Sequence, residues 1–178
     1  MNSIVIGLCL VALVIAAEVV FSARWNHTYF TRGVPVFWRR IDGMMNLETF
    51  PLDRLEKASA TAAGAPFAFR RLTPNAIAFR ERPFGGMMHY APLMRGLIRH
   101  NPEEPFVAVL GLVNWSVVGL IVFLVLMLGR NFGIVALYLA GTLAILYFIQ
   151  AVRFGRIANA IRNQPPHSSE VAREPASS

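Results

Sequence analysis

Apolar residues gather into three long runs, and the stretch between the first two runs changes its period. Residues Ile4 to Phe21 form eighteen consecutive positions with one ionisable group, Glu18. At about 1.5 Å per residue such a helix reaches roughly 27 Å, enough to cross a bilayer core. Phe106 to Gly129 carries no charge over 24 positions and Phe132 to Val152 none over 21. The pattern predicts transmembrane helices over 4–22, 106–129 and 132–152. Phe106 to Leu112 also fits a strand, and the favoured reading of 106–129 is a strand end followed by a second helix that starts near Asn114–Trp115. Only Met1, Asn2 and Ser3 precede the first run, and the first positive charge, Arg24, follows it. A secretory signal places its charge ahead of the apolar stretch, so the first helix is expected to be a retained anchor.

Between the first two runs, 23–105, the chain first mixes Arg24, Arg32, Arg39 and Arg40 with Trp25, Tyr29, Phe30, Phe37 and Trp38. Both residue types concentrate at headgroup depth, so Arg24, Trp25, Tyr29 and Trp38 are expected interfacial anchors, with Trp115 at the second span. Pro51 to Ala63 reads as a short helix opened by Asp53 and Glu56 and stopped by Gly64 and Pro66. Then Phe67 and Phe69, and Ile77 and Phe79, alternate with polar or small neighbours around a Thr73-Pro74-Asn75 turn. Met87 to Tyr90, Leu93 to Arg99 and Phe106 to Val113 extend this into a four- or five-stranded antiparallel meander. Residues 153–164 alternate apolar groups with Arg153, Arg156 and Arg162 at helical spacing, which predicts an amphipathic helix lying toward the headgroups. The tail, 165–178, is rich in Ser, Pro and Glu, and a flexible segment is expected there. The expected fold class is an α-helical membrane protein: three transmembrane helices with a small α+β, mainly antiparallel-strand, cytoplasmic insertion between the first two.

Composition supports the membrane reading. Of 178 residues 55% are hydrophobic and only 15% charged, where soluble domains carry about 25%. The net charge of +7 follows topology: of 17 Lys and Arg, 12 lie between Arg24 and Arg99, Arg130 lies between the last two spans, and four follow the third. The positive-inside rule then places the amino terminus outside and the large loop and carboxyl terminus in the cytoplasm. This distribution accounts for the basic surplus through anionic lipid, without nucleic acid as a partner. A single cysteine, Cys9, leaves no intrachain disulfide framework.

Candidate chemistry is sparse. The histidines His27, His89, His100 and His167 all fall outside the spans, so no intramembrane haem or chlorophyll ligand is expected; His27 is the one imidazole near the interface. Asp53 and Glu56 lack a completing base or nucleophile, no Gly-x-Ser-x-Gly elbow or phosphate loop occurs, and no enzyme is expected. No intrinsic cofactor or small-molecule substrate is expected either, although lipid or a pigment held by a partner fits. Glu18 is an intramembrane charge that suggests a proton path or, more simply, a structural pairing with Arg153 on the same side. Ala136, Ala140, Gly141 and Ala144 give the third helix small residues at close-packing spacing.

The segments Trp25-Asn26, Tyr29-Phe30 and Gly33-Val34-Pro35-Val36-Phe37, with Ala78-Phe79-Arg80-Glu81, Pro92-Leu93-Met94-Arg95-Gly96 and Leu112-Val113-Asn114-Trp115, resemble a set of small uncharacterised bacterial membrane proteins over about Trp25 to Trp115. The resemblance implies a bacterial inner-membrane setting and assigns no catalytic role. Taken together, the sequence leads us to expect a non-catalytic accessory or assembly subunit of a large energy-converting complex, photosynthetic or respiratory, contacting other integral membrane subunits. A membrane-anchored sensor or lipid-binding module is the alternative, and a proton-coupled carrier using Glu18 is the third.

Overall fold

The computed structural model describes residues 3–43, 47–59, 66–82, 93–128 and 133–163. Helix α1 (Ser3–Ala23) leads through a short helix α2 (His27–Thr31) into strand β1 (Pro35–Asp42) and helix α3 (Leu52–Ser59). Strands β2 (Phe67–Thr73), β3 (Ala76–Glu81), β4 (Met94–His100) and β5 (Phe106–Val113) follow, then helices α4 (Trp115–Leu128) and α5 (Gly133–Arg162).

The strands form one antiparallel sheet in the order β1-β5-β4-β3-β2. Four of them run as a meander, and β1 joins its far edge with Pro35 opposite Leu112 and Asp42 opposite Phe106. Pro35–Asp42, read from sequence as part of an interfacial stretch, is thus an edge strand whose Phe37, Arg39 and Ile41 share one face. The segment Met87 to Tyr90 and the tail 165–178 lie outside the described residues.

This arrangement corrects the expected three transmembrane helices. Among the described residues, two stretches are long and apolar enough to cross a membrane, Val5–Ala23 and Ala136–Arg162. The middle apolar run divides, its first eight residues forming β5 and its next segment the 14-residue α4. An apolar run satisfies a buried strand as readily as a helix, and hydrogen-bonded neighbours on both sides, β1 and β4, settle Phe106–Val113 as strand. The sheet, moreover, is the organising body of the chain rather than a small insertion. Helix α5 runs unbroken for 30 residues, and Phe154, Ile157, Ala158 and Ile161 are buried against the sheet core instead of lying toward headgroups.

The core on that face contains Ile41, Phe67, Phe69, Ile77, Phe79, Met94, Ile98, Val107 and Val109, closed at one side by Leu47, Phe50 and Leu55. Full burial of each large side chain contributes about 1.5–3 kcal/mol. Two glycines paired across strands, Gly96 and Gly111, make room for its aromatic rings. A Cβ at Gly96 would fall within the Phe79 ring, and one at Gly111 would lie 2.9 Å from Phe37 Cβ and 3.0 Å from Phe154 Cε2. Phe79 and Phe154 meet edge to face with centroids 4.9 Å apart.

Helices α1 and α4 pack antiparallel. A Cβ at Gly7 would meet the Phe123 ring and one at Gly119 would lie 3.8 Å from Val14; near the sheet, Glu18 meets the start of α4.

Candidate functional site

Strand β5 ends at Val113, and the carbonyl of the next residue, Asn114, accepts the amide of Val117 at 3.2 Å. The first amides of α4, at Trp115 and Ser116, therefore need partners from elsewhere. Glu18 supplies them from α1: Oε1 accepts from Trp115 N at 2.9 Å and Oε2 from Ser116 N at 2.8 Å. The carboxylate also meets the positive end of the helix dipole.

A second connection comes from the reversal between α1 and α2. Trp25 adopts φ +53°, a left-handed conformation that costs a bulky residue about 1–2 kcal/mol. Its ring stacks on Phe30 with centroids 5.4 Å apart, and the Asn26 side chain caps α2 by accepting from Tyr29 N at 3.1 Å. Held this way, Tyr29 donates its hydroxyl to Glu18 Oε1 at 2.6 Å.

Arg95 of β4 completes the cluster and is only 2% exposed. Its guanidinium donates to three backbone carbonyls, those of Tyr29 at 2.7 Å, Val113 at 2.6 Å and Arg32 at 2.7 Å. It lies 4.0 Å from the Tyr29 ring centroid and 3.9 Å from Glu18 Oε1, an ion pair too long to be a hydrogen bond. Burial first, and then Glu18, push the Tyr29 phenol well above its usual range, so it remains a donor. Burial pulls Arg95 below its ordinary value against the opposing effects of Tyr29 and Glu18. With carboxylate and hydroxyl both engaged by the chain itself, the cluster clamps α1, α2, the sheet and α4 into one geometry. It offers no free acid–base pair to a substrate.

A second buried polar group ties α5 to the sheet. Gln150 Oε1 accepts from Leu93 N at 3.1 Å and Met94 N at 2.9 Å. One turn on, Arg153 Nη1 donates to Glu81 Oε1 at 2.6 Å and lies 4.5 Å from the Phe67 ring centroid.

The structure thus separates the two expected intramembrane charges. Glu18 meets Arg95, whereas Arg153 meets Glu81 on the other face of the sheet. Of the expected interfacial residues, Arg24, Trp38 and Trp115 are exposed, Trp25 is half-buried and Tyr29 is buried within the clamp. His27 begins α2 and is exposed; among the described residues no group of three His, Cys, Asp or Glu side chains is placed to hold a metal ion. Ala140, Gly141 and Ala144 face outward from α5, while Ala136 is half-buried.

The sequence alone assigned no site role to Arg95, Asn114, Gln150 or Glu81, although Arg95, Asn114 and Glu81 fall within the segments that carry the resemblance. Arg95 sits among Met94, Gly96 and Ile98, where strand alternation alone assigns it an ordinary outer position. Asn114 before an apolar helix is a capping signal, and it marks the amides that Glu18 reaches. Comparison with known protein families, with characterised proteins and with solved structures returns no match.

Proposed function

We propose that this chain is a non-catalytic accessory subunit of a bacterial inner membrane, anchored by α1 and α5 with α4 against α1, which holds its sheet rigidly at the cytoplasmic surface and packs against another integral membrane protein. The observation that carries this reading is the apolar exposure of the helices. Leu13 is 67% exposed on α1, while Leu137 and Tyr138 are 74% and 75% exposed on α5. Surface of that kind needs hydrocarbon or a protein partner around it. The outward Ala140, Gly141 and Ala144 favour close helix contact. Because Glu18 is engaged by Tyr29 and the first amides of α4, it does not offer the free carboxylate that the carrier reading assigned to it.

The orientation that fits has the amino terminus outside. The ends of α1 and α5 and the start of α4 all meet the sheet, and 12 of the 17 Lys and Arg precede α4.

Carbonate extraction followed by blue-native electrophoresis tests the reading. The protein should stay in the membrane pellet and migrate within a larger assembly, and a photo-crosslinking residue at Tyr138 should join it to a second polypeptide. Mass spectrometry of that adduct identifies the assembly, with respiratory and photosynthetic complexes as the expected classes. Release by carbonate, or migration as a solitary protein with crosslinks to lipid alone, overturns it.

A further inference from the structure

The sheet has two faces, and only one is closed by α5. On the other, α2 covers the end near the clamp and leaves a surface built from Trp38, Arg40, Phe106, Leu110, Arg99 and Arg70. Alternation fixes this set to one face: Arg40 aligns with Ala108, which aligns with Arg99, and Trp38 aligns with Leu110. Trp38 is 60% exposed, and Arg40, Arg70 and Arg99 are exposed.

Arg40 is held for recognition. Its guanidinium lies 4.6 Å from the Trp38 ring centroid and 4.7 Å from that of Phe106. Aromatic neighbours fix the orientation of a planar guanidinium while its edge N–H donors remain able to meet a carboxylate. Arg99 stands two strands away in the same row, about 10 Å at ordinary strand spacing. Among the described residues none of Arg40, Arg70 and Arg99 takes part in an ion pair. Asp42 and the turn residues Glu103 and Glu104 lie at one end of this face, so its positive charge is centred toward Arg70, Arg99 and Arg40.

We infer that this face docks an acidic, partly apolar segment of a partner protein, with carboxylates on Arg40 and Arg99 and an apolar side chain against Trp38 and Leu110. The choice of a protein over lipid comes from geometry and rests on the membrane placement proposed above. Helix α5 lies along the opposite face and continues beyond the sheet, so once its first half enters the bilayer the sheet stands upright. The arginine row then lies about five residues, or roughly 16 Å, below the strand ends that adjoin the helices, beyond the headgroup layer and facing sideways.

The test uses the full-length protein in neutral detergent and a fluorescein-labelled peptide of alternating Glu and Leu, read by anisotropy. Replacing Arg40→Gln and Arg99→Gln together should weaken binding about tenfold, as expected for two exposed charge pairs. Trp38→Ala should weaken it as well, Arg162→Gln should leave it within twofold, and the R40K/R99K pair, which keeps the charge but not the planar fork, should fall between the glutamine pair and wild type. These positions are exposed, and an unchanged melting temperature confirms folding. Equal binding by the glutamine pair overturns the proposal. So does tighter binding of a single-stranded oligonucleotide through the same arginines, or loss of peptide to vesicles containing phosphatidylglycerol but not to phosphatidylcholine vesicles. A chain ending at Asn163 that binds the peptide over tenfold better would assign the face to the protein's own tail, and that too overturns it. Peptide binding in detergent does not require a bilayer, so failure here is distinct from release by carbonate, which overturns the membrane reading.

Discussion

Tyr29 donates its hydroxyl to Glu18 across 2.6 Å, and this bond folds the reversal after α1 back onto α1 itself. Glu18 simultaneously receives the first two amides of α4. One side chain therefore couples α1 to a helix that begins nearly a hundred residues later.

Glu18→Ala removes all three hydrogen bonds and leaves the Trp115 and Ser116 amides without their acceptor. Each buried donor left unsatisfied costs about 1–3 kcal/mol, so the melting temperature in detergent should fall clearly. Glu18→Gln retains one acceptor oxygen and turns an amide group toward the other donor; its loss should be smaller. Equal melting temperatures for wild type and Glu18→Ala would contradict the clamp.

Tyr29 makes stability depend on alkaline pH. Its phenol is raised in the folded protein from the ordinary 10.0, so the native state retains a proton that the unfolded chain gives up. That contribution is fully present below about pH 10 and is lost as pH rises toward the folded value, with a slope up to about 1.4 kcal/mol per pH unit. Tyr29→Phe should be less stable at neutral pH by about 1 kcal/mol and should show a flatter decline above pH 10. Parallel alkaline limbs would remove the Tyr29 contribution.

The meander and the apolar helices were legible because their patterns are local. Phe67, Phe69, Ile77 and Phe79 alternate around a Pro-Asn turn, and Ile4 to Phe21 is apolar on every face. The order of the sheet was not legible, since β1 pairs with β5 across more than sixty residues and only the assembled fold brings Pro35 to Leu112. Arg153 looked like a charge at a membrane boundary, yet its partner Glu81 is 72 residues away in sequence. The role of Arg95 left no mark in the sequence, because its guanidinium donates to backbone carbonyls and a sequence pattern cannot point to them.

Gly96→Ala tests the aromatic core. The added methyl falls within the Phe79 ring, so ring or strand must move, at a cost of about 1–3 kcal/mol. Combining it with Phe79→Leu should cost less than the sum of the two single changes, since the contact that causes the clash is gone. Additive losses in denaturant melts would show that the two residues do not share this volume.

The buried pair between α5 and β3 provides the sharpest test of how α5 is held. Arg153 and Glu81 are 7% and 9% exposed, and Arg153 also covers Phe67. Arg153→Met preserves most of the apolar stem but takes from the buried Glu81 carboxylate the cation that meets it at 2.6 Å, and breaking a buried pair from one side costs about 3–5 kcal/mol. Changing Glu81→Gln in the same chain removes the buried charge and should recover part of that loss. Trypsin supplies the readout, because Arg156 and Arg162 lie on the segment of α5 that packs on the sheet. The single variant should be cut there faster than wild type, and the double variant should fall between them. If Arg153→Met resists trypsin as well as wild type does, α5 is held by the Phe154 ring against Phe67 and Phe79 and by the Gln150 hydrogen bonds to β4, and the ion pair contributes nothing to its position.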